Sequence, residues 1–206
     1  MKSNMTNKFG IFGKDRFPPY EYQSKVGINA RELLHNNSKE IVKILNDLNI
    51  IKNDIKIFEM GAGGARNLYY IWNNNKTVKL YCNDLSREAS FAQMHPDVRG
   101  CITFFEGDSE EIIASNVLND IDVFLVSDHF MHLQYEKAEN IISEIMKNWL
   151  PKFIVLREVK KEFESPMHPK LYHNYDRFLE QYDLLHESSS ENDNTYFIWV
   201  LKKKFE

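Results

Sequence analysis

Ile55-Lys56-Ile57-Phe58-Glu59-Met60-Gly61-Ala62-Gly63-Gly64-Ala65-Arg66-Asn67 runs from a β-rich apolar segment, through a bend of small residues, into a helical pattern. The run 55–60 predicts a strand. Gly61 and Gly63 let the backbone turn sharply and let a ligand approach it closely, and a helix over 64–74 turns unpaired N–H groups toward that ligand. A strand, a glycine turn and a helix together make the opening unit of a nucleotide-binding α/β sheet. The dinucleotide fingerprint needs a small residue where Arg66 stands, because the helix packs on the sheet there and pyrophosphate needs room. Arg66 breaks it.

Working outward, six more β-rich runs predict strands at 78–82, 101–105, 121–126, 153–156, 183–188 and 195–201. Helical patterns lie between them, near 86–95, 109–118, 135–149 and 169–181. The clearest is 135–149, where Ala138, Ile141, Ile142, Ile145, Met146 and Trp149 mark one face before Pro151 stops the helix. Strand followed by helix, repeated along the chain, predicts a single-domain, Rossmann-like doubly wound sheet of seven strands. Only a polar loop, 189–194, separates the last two runs, so they should pair antiparallel at one edge.

Ahead of this unit, residues 1–24 combine Gly10, Gly13, Pro18 and Pro19 with Phe9, Phe12, Phe17, Tyr20 and Tyr22, too many aromatics for a free tail. We read 1–38 as an amino-terminal lid and 39–206 as the Rossmann-like domain, with Ser38 capping an amphipathic helix over 39–49. A chain of 206 residues, 43% hydrophobic and 27% charged, fits one globular domain, and no apolar run approaches the length of a membrane span. The polar start, MKSNMTNKFG, lacks the apolar core of a secretory signal, so the expected location is cytoplasmic. Cys82 and Cys101 are too few for a disulfide framework and both read as buried thiols or strand residues. A net charge of −4 disfavours nucleic acid as a partner.

The glycine stretch resembles the first motif of class I S-adenosylmethionine-dependent methyltransferases, an acidic residue followed by GxGxG, with Ala65 at the last glycine. The resemblance extends over residues 40–204. It implies that Asp84 accepts hydrogen bonds from both ribose hydroxyls, that Leu85 lies against adenine, and that Asp108, in Glu106-Gly107-Asp108-Ser109, receives the adenine amino donor. The implied cofactor is S-adenosylmethionine, and the implied cofactor-binding set is Glu59, Gly61, Gly63, Asp84, Leu85, Asp108, Ser109 and Ser127. Met131-His132-Leu133 is similar to the His-Leu pair that often follows the family's fourth strand. As bare residues, Asp84 and Asp108 also read as loop acids or helix caps.

Methyl transfer from a sulfonium is an in-line displacement, so alignment in a dry pocket does most of the work, and a hydroxyl acceptor needs in addition a base. Asp128, His129 and His132 follow the fourth strand directly. His132 is the first choice of base, with Asp128 or His129 as alternative or orienting partner, and a structural histidine is the competing reading of His132. Read as metal ligands these three lack a further spaced acid, so no metal is expected. Arg157 and Glu158, taken to face the same crevice, are placed with Tyr20 and Tyr22 against the acceptor. The insertion after them brings in His168, Tyr172, His173 and Tyr175, each by itself readable as an exposed position of a surface helix.

Amino-directed nucleic-acid enzymes of this class carry [N/D]PP[Y/F] after the fourth strand, where this chain has Ser127-Asp128-His129-Phe130, and Phe17-Pro18-Pro19-Tyr20 comes too early to replace it. The expected function is therefore methyl transfer to oxygen or nitrogen of a small molecule, such as a sugar or another hydroxylated metabolite. A nucleotide-binding protein without this activity and a protein methyltransferase are the alternatives.

Overall fold

A computed structural model of the chain describes residues 28–118, 120–161, 171–190 and 193–204. Tyr20, Tyr22, the lid reading and His168 lie outside these residues. All seven strands form, as β1 (Lys56–Met60), β2 (Lys79–Asp84), β3 (Ile102–Glu106), β4 (Val123–Ser127), β5 (Phe153–Val159), β6 (Tyr182–Ser190) and β7 (Asp193–Lys203). They build one sheet in the order β3-β2-β1-β4-β5-β7-β6, parallel through β5, with β7 antiparallel to both β5 and β6. The chain works outward from β1 to β3 and then crosses back to set β4 on the other side of β1. The order therefore reverses between β1 and β4, and a crevice opens beyond their carboxyl ends. Met60 pairs with Val126, so Gly61 and Ser127 leave the sheet at the same level.

Alternation along the strands divides the interior into two layers. On one face Ile57, Leu80, Cys82, Val123, Leu125 and Val155 pack against α1 (Ile28–Asp47) and α2 (Arg66–Asn74). On the other, Phe58, Met60, Phe124, Val126 and Leu156 pack against α5 (Ser109–Ala114), which follows α3 (Arg87–Gln93) and α4 (Pro96–Arg99), and against α6 (Tyr135–Glu144). The predicted helix 135–149 runs its full length, its last turn, Ile145–Trp149, wound as a π-helix before Leu150 ends it at φ 42°. Trp149 lies 5.0 Å from Phe58 and 5.7 Å from Phe124, ring centre to ring centre, and its indole N–H donates to the Ile113 carbonyl at 2.8 Å.

Four local expectations change. α1 begins at Ile28 and passes straight through Ser38, whose buried position inside the helix excludes a capping role. Pro96 divides the helix expected over 86–95 from the short α4 that follows, since its ring cannot continue the first helix. Cys101 is exposed in the turn before β3, not in the strand. Of the helix expected over 169–181, the described residues from 171 on form only a 3₁₀ segment, Tyr175–Glu180, and His173 and Tyr175 are buried where exposed positions were expected. Trp149→Ala should lower stability by about 3–5 kcal/mol, because it removes a large ring wedged between sheet and helix together with its indole hydrogen bond. Urea denaturation followed by circular dichroism measures this, with Trp149→Phe expected to lose only about 1–2 kcal/mol.

Candidate active site at the switch point

The glycine bend is moored to the end of β2 by hydrogen bonds. Gly61 N–H donates to Asn83 Oδ1 at 3.4 Å, Ala62 N–H to the Asn83 carbonyl at 3.0 Å, and Gly63 N–H to Asp84 Oδ2 at 2.8 Å. Asp84 Oδ1 receives Leu85 N–H at 2.7 Å. Gly61 and Gly63 have φ of 63° and 52°, which an L side chain rarely adopts. A Cβ on Gly63 would meet nothing within 4 Å, so the space over it is open. A Cβ on Gly61 would fall 2.1 Å from Nδ1 of His129, so there the missing side chain makes room for an imidazole. Ala65, the departure from GxGxG, is itself left-handed at φ 49° and buried ahead of α2. Leu85, 62% exposed, stands clear beyond Asp84.

Glu59 does not reach the open crevice. It is buried beneath the bend, where Oε1 accepts from Asn67 Nδ2 at 2.6 Å while Oε2 has no hydrogen-bond partner. Burial pushes its carboxyl up to about 8, against the opposing pull of Asn67, Arg66 and the Leu68 backbone. Arg66, whose size broke the dinucleotide pattern, lies in the fields of Asp128 and Glu59; burial pulls its guanidinium below the ordinary range while those two carboxylates resist.

Across the crevice, the loop after β3 carries Asp108 and Ser109. Asp108 caps α5 through Oδ1, which accepts from Glu110 N–H at 2.9 Å, and its Oδ2 pairs with Lys137 of α6. Partial burial works against its charge, yet Lys137 and the Glu110 N–H outweigh it and hold the carboxyl below its usual range. The cap reading of Asp108 is thus realised. The Ser109 hydroxyl is turned inward, 3.1 Å from Asn83 Nδ2 and 3.0 Å from His129 Nε2. Burial pulls the His129 imidazole below its ordinary range, opposed by Asp84 and Asp108 and assisted by Lys137.

The segment after β4 is held from beneath. Asp128 has φ 58°, pairs through Oδ1 with Arg157, and accepts from Ser127 Oγ at 3.4 Å. The backbone N–H groups of His129 and Phe130 donate to Glu158 Oε1, both at 2.9 Å, and that of Met131 to Oε2 at 3.2 Å. His173 Nε2 donates to the Phe130 carbonyl at 2.8 Å, and Leu171 N–H to the Met131 carbonyl at 3.0 Å. His132 closes this 3₁₀ turn, Phe130–His132, half-buried, its own N–H on the His129 carbonyl at 3.0 Å.

Arg157 and Glu158 do not share the crevice. Neighbours on a strand point to opposite faces: Arg157 lies with Val155, stacked 4.3 Å over the Tyr196 ring, and Glu158 with Leu156, beneath the turn. Arg157 is 2% and Glu158 0% exposed, and the oxygens of Glu158 are engaged by backbone, so neither lines an open acceptor surface. Burial and the Asp128 charge push the Glu158 carboxyl up to about 8, against three N–H donors that favour its ionised form.

Of the residues expected from sequence, Gly61, Gly63, Asp84, Leu85, Asp108, Ser109, Asp128 and His129 gather around the crevice. Asn83 and Lys137 were not anticipated, and His173, expected near the site as an exposed residue, is buried against the turn after β4. Asn83 adjoins Asp84 and is wholly buried, but a lone asparagine carries no sequence pattern. Among the described residues no three His, Cys, Asp or Glu side chains are grouped as a metal site, and no helix is long and apolar enough to cross a membrane.

No protein-family model and no curated protein matches the chain by sequence. In three dimensions it has the fold of class I S-adenosylmethionine-dependent methyltransferases. Magnesium protoporphyrin IX methyltransferase from Synechocystis PCC 6803, solved with bound SAM, superposes with a TM-score of 0.64 at 13% identity, over 85% of this chain and 82% of that one. An O-methyltransferase family protein from Burkholderia thailandensis gives 0.63 at 14% identity, over 96% and 68%. TrmK from M. capricolum, solved with S-adenosylhomocysteine, gives 0.52 at 15%, over 81% and 67%.

The two raised carboxyls make a prediction about pH. A carboxyl whose pKa rises from 4.5 unfolded to about 8 folded binds more protons in the native state between those values, so its stabilising share is complete below 4.5 and is lost as pH rises through 8. The melting temperature should therefore fall between pH 5 and pH 8. Glu59→Gln, which mimics the protonated acid, should leave it nearly unchanged at pH 5 and raise it at pH 8, as differential scanning calorimetry will read.

Proposed function

We propose that this chain transfers a methyl group from S-adenosylmethionine to an oxygen or nitrogen of a small-molecule acceptor, as a cytoplasmic enzyme that acts without a nucleic-acid partner. The observation that carries this reading is the arrangement at the switch point: Asp84, an exposed Leu85 and open space over Gly63, at adjoining carboxyl ends of β1 and β2. The fit to the cofactor is chemical. Each Asp84 oxygen accepts one backbone N–H and keeps a lone pair for a ribose hydroxyl, and Asp108, engaged once at each oxygen, has the same capacity toward an adenine amino group. Leu85 offers an apolar surface for the base. Two of the compared structures, solved with SAM or S-adenosylhomocysteine, support the choice of cofactor.

Bound there, the cofactor supplies an electrophilic methyl group on a sulfonium. This chain's residues align the acceptor and exclude water, effects that together are worth on the order of 7–11 kcal/mol. For a hydroxyl acceptor, a base contributes about 10²- to 10⁴-fold more. Of Asp128, His129 and His132, the geometry favours His129: its ring lies against the glycine bend, and burial keeps it neutral at pH 7. His132 sits on the adjacent turn, and Asp128 is tied to Arg157.

Asp84→Ala should weaken S-adenosylmethionine binding at least tenfold in calorimetry, about 1.4 kcal/mol or more, and Gly63→Val should abolish it. Unchanged affinity in both, or tighter binding of NAD by the parent chain, would reject the cofactor assignment. With an acceptor found by screening for S-adenosylhomocysteine release, His129→Gln should lower turnover about 10²-fold and change cofactor affinity only a few-fold. If His132→Ala alone gives that loss, the base is His132.

A further inference from the structure

Lys137 stands in the first turn of α6, and its ammonium crosses to Oδ2 of Asp108, ahead of α5. One turn further along the same face, Asn140 Nδ2 donates to Glu110 Oε1 at 2.8 Å, so this flank of α6 is bound twice to the start of α5. The ammonium is thereby held at the crevice: 27% of the Lys137 side chain is exposed, and its charge acts on His129, whose ring lies over Gly61. Its donors outnumber its partners. An ammonium has three N–H groups, and among the described residues Asp108 Oδ2 is the single hydrogen-bond partner of this one. Asp108 in turn keeps a lone pair at each oxygen, one oxygen being engaged by Glu110 N–H and the other by Lys137. The pair thus offers a ligand an acceptor and a donor side by side. A ligand that brings only a donor to Asp108 takes water from the ammonium and returns nothing, a loss that is heaviest for a charged group. A ligand that carries a donor with an acceptor next to it answers both.

We infer that Lys137 is a specificity-determining residue for the base, donating to a ring nitrogen that flanks the amino group while Asp108 accepts from the amino group itself. The inference rests on the cofactor reading above and adds to it the kind of base edge that the site selects, an amino group beside an unprotonated ring nitrogen. Adenine has two such edges, one through N1 and one through N7. A purine with a keto group in place of the amino group fits neither. Its N7 edge carries acceptors alone, and its N1 edge presents donor and acceptor in exchanged places. Lys137 thus has a task distinct from balancing the charge of Asp108, which any nearby cation would perform.

Calorimetry of the full chain with S-adenosylhomocysteine and with its 1-deaza and 7-deaza analogues tests this, because each analogue replaces one ring nitrogen by C–H and leaves the amino group in place. In the parent chain one of the two replacements should weaken binding about tenfold or more. Lys137→Met keeps an apolar stem and a good helix former in α6 but removes the donors, so the same replacement should then change affinity by less than about twofold. A residue that merely balanced Asp108 would, on substitution, weaken all three ligands by one factor and leave their ratios unchanged. That result overturns the inference, as does a parent chain indifferent to both replacements. A ring nitrogen read by a backbone N–H instead gives a penalty equal in parent and variant, which overturns it too. Failure of the parent chain to bind S-adenosylhomocysteine at all rejects the cofactor reading and this inference with it, whereas binding with fixed ratios rejects the role of Lys137 alone.

Discussion

Backbone N–H groups that emerge beyond the carboxyl ends of parallel strands lose their sheet partners, and the whole site depends on how this chain satisfies them. Side chains of adjacent strands meet Gly61 through Asn83, Gly63 through Asp84, and the run from His129 to Met131 through Glu158; backbone carbonyls of Asn83, Asp84 and Arg157 meet Ala62, Gly107 and Asp128; and Glu110 is capped by Asp108 of its own loop. Except at that cap, the bonds run sideways, so the loops are fixed by adjacent strands more than by themselves. A buried N–H without a partner would cost about 1–3 kcal/mol. The loops therefore have one low-energy arrangement, and the glycine bend, the cap of α5 and the turn after β4 come together before any ligand arrives.

The same economy explains the charges. Glu59 and Glu158 lie buried beneath the first and last of these loops, and for both the loss of water outweighs the hydrogen bonds that favour ionisation. Asp108 has Lys137 beside it and keeps its charge. The carboxyl held below its usual range, Asp108, thus stands at the crevice, and those raised toward neutrality stand under it. The sequence alone presents them all as acids of one kind.

The order of strands and helices was readable because period and punctuation are local: the run 55–60, the glycines after it, Pro151 and the polar loop before β7 each act within a few residues. Ser38 misled because serine, a good cap, also sits inside a helix when it is buried there. Arg157 and Glu158 misled for a different reason. Both stand at the end of β5, but the pleat sends successive side chains to opposite layers, so one crevice cannot take both. Asn83 was invisible, and His173 was legible as a neighbour of the site but not as a buried one, because the contacts of both run between segments distant in sequence. Gly61 was legible as a needed glycine with the wrong occupant assigned to its empty side: the imidazole of His129, not a ligand.

That contact between Gly61 and His129 also bears on how the molecule folds. It joins the end of β1 to the end of β4, which pair only after two intervening strands and their crossover helices have been laid down or looped out. Closing so long a loop is slow and brings its reward late. The crevice is therefore absent from any chain that has not yet docked β4, and a ligand held there recognises the finished fold alone. Such selective binding stabilises by mass action, about 2.7 kcal/mol when the ligand is present at a hundred times its dissociation constant. The supply of such a ligand would then add to the stability of the folded chain, quite apart from any chemistry at the site.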